Sequence, residues 1–254
     1  MKRIDLNCDL GEMAGPAAGE IEDALLAYVS SANVACGAHA GDAATMERTI
    51  RAALARGVQI GAHPGYPDRE RFGRVELEMS AEEIARSVYE QLTVLAGAAR
   101  ACGAVVRHVK PHGALYNRAA RDREIARAIS TGVARWSRDV VLVGLAGSAM
   151  LDTFREAGFP VAAEAFADRR YERDGGLRSR GLPGALIADP AEVARQAVRL
   201  VGEGVLIAYD GAPVEIRAST ICLHGDAPGA LAMARAVAAA MGAAGVAIQP
   251  FAAG

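Results

Sequence analysis

Aromatic residues make up only 5% of this chain, which leaves little surface for stacking nucleobases. Its four cysteines, Cys8, Cys36, Cys102 and Cys222, have no CxxC spacing and build no familiar zinc knuckle. A large net charge is also missing. The formal value of −2 gives no global pull toward nucleic acid or anionic membrane. The N-terminal MKRIDLNCDLGE has two basic residues and no apolar core, so it does not read as a secretory signal. No GxGxxG turn follows the first predicted strand, no GxxxxGK[ST] occurs, and no serine sits in a GxSxG elbow. The uncharged run 236–254 has the length of a membrane span, but Gly242, Gly245 and Pro250 break it. It reads better as a helix tail followed by a strand over 246–251. The expectation is a soluble, cytoplasmic protein with reduced cysteines and no nucleic-acid or membrane partner.

What the chain does have is a repeated strand ending. Four of the five histidines, His39, His63, His112 and His224, close apolar runs beside Gly or Pro. Strands that end this way along a chain converge on one rim of an α/β fold, where such folds place their chemistry. Strands are expected at 3–9, 31–38, 58–62, 105–110, 139–146, 161–166, 205–209, 218–223 and 246–250. Helices are expected between them. Residues 42–56 start at Asp42 as N-cap and carry Met46, Ile50 and Leu54 on one face. Residues 80–101 open with Ser80 and Glu83 in capping-box spacing. Residues 147–157 stop at Gly158, and 189–202 and 226–241 start at Asp189 and Asp226. The alternation implies a mainly parallel sheet with crossover helices. No linker divides it, so 1–254 reads as one (β/α)-barrel domain, a TIM-like variant with seven or so strands. An open doubly wound sheet is the competing architecture; polar strand ends spread over the whole length favour the barrel.

On the first strand, Asp5, Asn7 and Asp9 alternate with Ile4, Leu6, Cys8 and Leu10. The polar face must therefore point into the barrel, where carboxylates need partners or a wet pocket. Asp9 and Glu12, at the strand's C-terminal end, fit the pocket. The segment 107–117, RHVKPHGALYN, is the densest in polar residues. Lys110 can hold an anion or stabilise an oxyanion there. Glu164 points inward and Asp168 lies at the rim. The loop 169–181 carries five arginines. It reads either as solvated or as a mobile lid whose Arg169, Arg170, Arg178 or Arg180 clamps an anion; 67–78 reads as a second lid. Asp42 and Asp226 read equally as plain helix caps or as residues orienting the neighbouring histidines. Asp9, His39, His63 and His112 are of the types that zinc or another divalent ion accepts, without HxH or HxxxH spacing.

The segments IDLNCDLGE (4–12), SANVACGAHAGD (31–42), GAHPGYPD (61–68), VKPHGALYN (109–117), EAFADRRY (164–171) and LHGDAPGA (223–230) resemble the LamB/YcsF family, in its order and over essentially the whole chain. The resemblance implies a (β/α)7 barrel related to polysaccharide deacetylases and certain glycoside hydrolases. It also implies ATP-dependent ring opening of 5-oxo-L-proline to L-glutamate, with ATP as co-substrate and 5-oxoprolinase subunits B and C as partners. The candidate catalytic residues are then Asp9, Glu12, His39, His63, Lys110, His112 and His224. Substrate binding falls to Asn7, Asn33, Asp42, Tyr116, Asn117, Glu164, Asp168, Arg169, Arg170 and Asp226. Two alternatives remain open: a metal-dependent amidase or deacetylase working without ATP, and a non-catalytic lactam-binding subunit.

Overall fold

In the computed structural model, which describes residues 2–13, 15–226 and 229–251, alternation along the first strand sets the architecture. Ala227 and Pro228 of the last motif, and 252–254 of the uncharged run, lie outside the described residues. Along β1 (Lys2–Leu10), Leu6, Cys8 and Leu10 are packed away in the apolar core. Asp5, Asn7 and Asp9 face inward and meet polar groups from distant strands.

The remaining elements follow in chain order. They are α1 (Pro16–Leu25), β2 (Ser31–Ala35), α2 (Ala43–Ala55), β3 (Gln59–His63), α3 (Ala81–Ala101), β4 (His108–Val109), α4 (Gly113–Arg121) and α5 (Arg123–Trp136). Then come β5 (Val141–Leu145), α6 (Ala149–Glu156), β6 (Val161–Phe166), α7 (Pro190–Glu203), β7 (Val205–Ile207), β8 (Pro213–Glu215), β9 (Thr220–His224), α8 (Ala230–Ala243) and β10 (Val246–Ile248). Strands β1 to β6 pair in sequence order and all in parallel, and β9 lies between β6 and β1. The result is a closed seven-stranded parallel barrel rather than an open doubly wound sheet. None of the described helices is long and apolar enough to cross a membrane.

Local chemistry explains most of the helix boundaries. Asp42 accepts the Thr45 N–H at 2.8 Å to start α2, and Ser80 and Glu83 complete their capping box on α3. Two helix readings need correction. Leu54 is 41% exposed, because the buried stripe of α2 runs through Thr49, Ile50 and Ala53 instead. The last helix starts at Ala230 rather than at Asp226, whose carboxylate turns to Arg74. Nor does the segment 205–209 enter the barrel. Its β7 folds back on β8 as an antiparallel ribbon around Gly211, whose φ of 87° suits a tight turn. α1, α4 and α5 have no individual counterpart among the expected helices.

The two ends of the barrel differ. At the N-terminal end, β10 adds to β1 through the pairs Lys2–Val246 to Ile4–Ile248. Phe251 then packs on Val141, Val143 and Ala162, and edge-on to His108 at 5.3 Å. At the other end, a cavity of about 1000 Å³ opens among the strand–helix loops.

Candidate active site

A buried polar layer supports the cavity floor. Lys110 is 2% exposed, and its ammonium lies 2.9 Å from both Asp9 Oδ1 and Glu164 Oε1. It also lies 3.3 Å from Asn7 Oδ1 and 3.0 Å from Cys222 Sγ. Burial alone would push this amine down, but the Asp9 and Glu164 carboxylates hold it well above its usual range. Burial also works to raise Asp9, yet the charges on His63 and Lys110 keep its carboxyl well below the usual carboxylate range. Asn33 donates to Asn7 at 2.7 Å and to Asp9 at 2.8 Å, and accepts from His108 Nε2 at 2.8 Å. Beneath them Asp5 accepts from Ser30, Ser31 and Thr220. Asn7, Asn33 and Glu164, expected to bind substrate, are therefore sealed under the floor and hold it in place.

Above this layer three histidines gather around Glu12. His39 Nε2 and His112 Nδ1 each lie 3.0 Å from Glu12 Oε1, and His63 Nε2 lies 3.7 Å away. His39 and His112 stack face to face with centroids 3.7 Å apart. Burial works to raise Glu12, but the bonds to His112 and His39 hold it far below its normal value. Burial pushes His39 down to about 4, so it is neutral and donates Nε2–H to the carboxylate.

Backbone carbonyls set the tautomers of the other two rings. His63 donates Nδ1–H to the Lys110 carbonyl at 2.7 Å, and His112 donates Nε2–H to the Phe72 carbonyl at 2.9 Å. The remaining nitrogens, His63 Nε2 and His112 Nδ1, face each other at 3.0 Å. In the neutral rings these are two lone pairs facing carboxylate oxygens, His112 Nδ1 at 3.0 Å from Glu12 Oε1 and His63 Nε2 at 3.3 Å from Asp9 Oδ2 and 3.7 Å from Glu12 Oε1, with no hydrogen among them. Only a shared proton or a cation relieves such an arrangement. His63 shows the same pressure as a raised pKa: burial opposes protonation, but Asp9 and Glu12 outweigh it. Two imidazole nitrogens and one carboxylate oxygen, all within 4.8 Å of one another, suit zinc or a similar divalent ion. Each ring is oriented through its other nitrogen, as metal-binding histidines usually are. The donor set differs from the sequence expectation. Glu12 joins the two rings in place of His39, whose only open nitrogen is sealed in, while Asp9 gives Oδ1 to Lys110 and keeps Oδ2 3.3 Å from His63 Nε2, outside the grouped donors.

The fourth rim histidine stands apart. His224 Nδ1 lies 2.8 Å from Asp168 Oδ2, Asp168 also accepts the His224 backbone N–H at 3.2 Å, and Phe166 stacks on the ring. Asp168 is buried and positions the imidazole. Tyr116 and Asn117 line the cavity with it. Asp42, Arg170 and Asp226 do not line it: Asp42 caps α2, Arg170 pairs with Glu192 at 2.6 Å, and Asp226 pairs with Arg74. The loop 67–78 is no simple lid. Its first half clamps the histidines, with Phe72 at φ 56° supplying the His112 acceptor. A Cβ on Gly73 would come within 2.9 Å of His39 Cβ. Its second half, from Arg74 to Glu76, forms cavity rim.

Four contributors escape a reading of the sequence. Glu22 accepts the Gly11 N–H at 2.8 Å and the Glu12 N–H at 3.2 Å, pinning the turn that carries Glu12. Gln91 holds both backbone groups of Gly65, at 3.0 and 2.8 Å; a polar residue within the buried stripe of α3 was the available signal. Phe72 is the third. His108 is the fourth, and it lies flat over Gly61, where a Cβ would meet its ring at 2.0 Å.

His108 also gives the protein a pH signature. Burial, then the Lys110 charge, pushes its pKa down to about 3 from 6.5. Between those values the unfolded chain holds a proton that the folded chain lacks. Stability therefore falls as pH drops through this window, by up to about 1.4 kcal/mol per pH unit. His108→Gln removes that slope. In urea unfolding, the stability gap between wild type and variant should shrink by about 2 kcal/mol from about pH 6.5 to about pH 5. An unchanged gap means that His108 is charged in the native barrel.

Known proteins share this sequence and this fold. The LamB/YcsF family model matches residues 4–254. A Chloroflexus aggregans protein, by name the A subunit of a 5-oxoprolinase, is 52% identical over 98% of this chain and 99% of its own length. An Agrobacterium fabrum protein, also named as a 5-oxoprolinase A subunit, is 48% identical over 99% of each. The crystal structure of a lactam utilization protein from Thermus thermophilus superposes with a TM-score of 0.91 at 43% identity, covering 98% of this chain and 100% of that one. A family 4 carbohydrate esterase from Streptomyces lividans shares the fold alone, with a TM-score of 0.52 at 12% identity over 99% of this chain and 93% of that one. Match and geometry agree along the whole chain: it belongs to the LamB/YcsF family.

Proposed function

We propose that this chain is the A subunit of a 5-oxoprolinase, opening 5-oxo-L-proline to L-glutamate with ATP and partner subunits B and C. The observation that carries the reading is near-half or greater identity, over almost the whole chain, to proteins bearing that name. The geometry supplies a matching chemistry. A five-membered lactam is a poor electrophile, and ring closure of glutamate is favourable, so opening needs coupling to ATP. Phosphorylation of the amide oxygen gives an imidate that water attacks. The C–N bond of that adduct then breaks and the nitrogen takes a proton to become the glutamate amine; a second water hydrolyses the acyl phosphate left behind, giving the carboxylate and releasing phosphate with the former amide oxygen. No P-loop sequence occurs in this chain, and we assign phosphorylation to the partner subunits.

His224 carries the proton in this reading. Asp168 holds its Nδ1–H, leaving Nε2 as the open nitrogen on a ring that lines the cavity. It takes a proton from the attacking water and returns it to the ring nitrogen. Lys110 keeps Asp9 anionic beside the reacting group. Glu12, His63 and His112 would hold a divalent cation, which when bound would supply Lewis-acid polarisation of the lactam carbonyl. Around it, His39 and the Phe72 carbonyl keep Glu12 and His112 oriented.

The test is reconstitution. Glutamate should appear only when this chain, both partners, ATP and 5-oxo-L-proline are combined. Full activity of the chain alone overturns the shared site, and no activity in the mixture overturns the substrate. The Glu12, His63 and His112 cluster also favours a second reading, hydrolysis of an acyclic amide by a metal enzyme without ATP. ATP-independent, chelator-sensitive turnover by protein holding stoichiometric metal selects it.

A further inference from the structure

One buried charge on the cavity wall has no use in the scheme above. Arg169 follows β6 and is only 4% exposed. Its Nη2 donates to the Arg178 carbonyl at 2.6 Å, and its Nε is buried with no partner. Among the described residues no carboxylate oxygen lies within 4 Å of its guanidinium, although Arg170, Arg173 and Arg178 of the same loop pair with Glu192, Asp210 and Glu172. The adjacent Asp168 is committed to His224. Arg180, the other arginine of this loop without a carboxylate partner among the described residues, lines the same cavity. Burial first, and Arg180 second, push the Arg169 guanidinium down to about 10. A buried cation without a counter-ion beside a second cation is costly unless an anion completes it. Built into the wall of a ligand-sized cavity, it forms an anion subsite awaiting its ligand.

From this arrangement we infer that Arg169, assisted by Arg180, anchors the carboxylate of the lactam substrate, so that this wall selects a ring bearing a carboxylate over a bare lactam. The inference rests on the ring-opening reading for the identity of the substrate, but the anion subsite itself does not. 5-Oxo-L-proline has a single charged group, its carboxylate, on the carbon beside the ring nitrogen. Docking that group on Arg169 places the neutral amide elsewhere in the cavity, free to meet the floor. A phosphate group is the other source of the same charge, and the experiment separates the two.

Arg169→Gln and Arg180→Gln are made in the full chain, and their folding is checked by urea unfolding. Equilibrium dialysis compares 5-oxo-L-proline, 2-pyrrolidinone, which lacks the carboxylate, and inorganic phosphate. The assembled enzyme is assayed on both lactams with ATP varied. Arg169→Gln should lower kcat/KM for 5-oxo-L-proline about 100-fold, mainly through KM, and weaken its binding to match. Values for 2-pyrrolidinone should stay within about threefold, so the preference between the lactams collapses. Arg180→Gln should have a smaller effect of the same kind, about fivefold. An equal fall for both lactams makes Arg169 merely structural and overturns the inference. So does a rise in KM for ATP, or loss of phosphate binding, with the lactam preference intact, because the anion is then a phosphate. If the assembled enzyme opens neither lactam, the proposed function fails. The anchor still stands if 5-oxo-L-proline binding depends on Arg169, and falls if it does not.

Discussion

Replacing Lys110 with methionine should destabilise the protein by about 3–5 kcal/mol, as measured by urea unfolding near neutral pH. Methionine matches the length of the stem, so the change removes the charge with little change in volume. Asp9 Oδ1 and Glu164 Oε1, each 2.9 Å from the ammonium, are then left facing one another inside the barrel. Asn33 still donates to Asp9 and Asn7 to Glu164, but no cation among the described residues replaces Lys110 between them. The second arm of the experiment identifies the cause. Lys110→Met combined with Glu164→Gln removes one of the stranded charges and should recover at least about 1 kcal/mol relative to Lys110→Met. Without that recovery, the loss comes from packing rather than from charge. A Lys110→Met protein within about 1 kcal/mol of wild type would mean that the ion triad does not hold the floor together.

Glu12→Gln should affect chemistry more than folding. The amide keeps the shape of the side chain and can still accept from His39, but the negative charge on which three imidazoles converge is gone. Turnover by the assembled enzyme should fall by about 10²–10⁴. Bound divalent metal, measured by elemental analysis of protein prepared without chelator, should fall from about one per chain to a small fraction. His63→Gln removes another of the three donors, so combining it with Glu12→Gln should add little to either loss, since residues acting as one unit are not additive. Turnover within about threefold of wild type would remove Glu12 from the centre of the site. Lost turnover with unchanged metal content would keep the catalytic role and discard the ligand role.

The barrel is legible in the sequence because its strands advertise themselves. The polar alternation of Asp5, Asn7 and Asp9 points inward on pattern alone, and the histidine-ended runs mark β2, β3, β4 and β9. The segment that forms β7 reads as a barrel strand because a short apolar run cannot reveal its pairing partner. The same limit hides His108. It opens the two-residue β4 with no Gly or Pro beside it, so it lacks the rim signature, although period two with Lys110 and His112 places all three on one face. The site's donor set is beyond local reading. Whether an imidazole offers a lone pair or a hydrogen depends on the carbonyls its other nitrogen meets. For His112 that carbonyl belongs to Phe72, forty residues away. Glu12 can be singled out from sequence as a rim carboxylate. That it sits between three rings cannot, because Glu22 of α1 sets the turn that aims it.

The first strand of the barrel is also the last to be completed. β1 acquires β2 early, but its other flank waits for Thr220–His224, and its outer end for Val246–Ile248. Through most of synthesis Asp5 lacks Thr220, and Asn7 lacks both Thr220 and Glu164. Until β9 is made, β1 therefore carries an open, carboxylate-bearing edge. Barrel closure brings together Asp5 and Thr220, 215 residues apart, a non-local step slow by the standards of helical proteins.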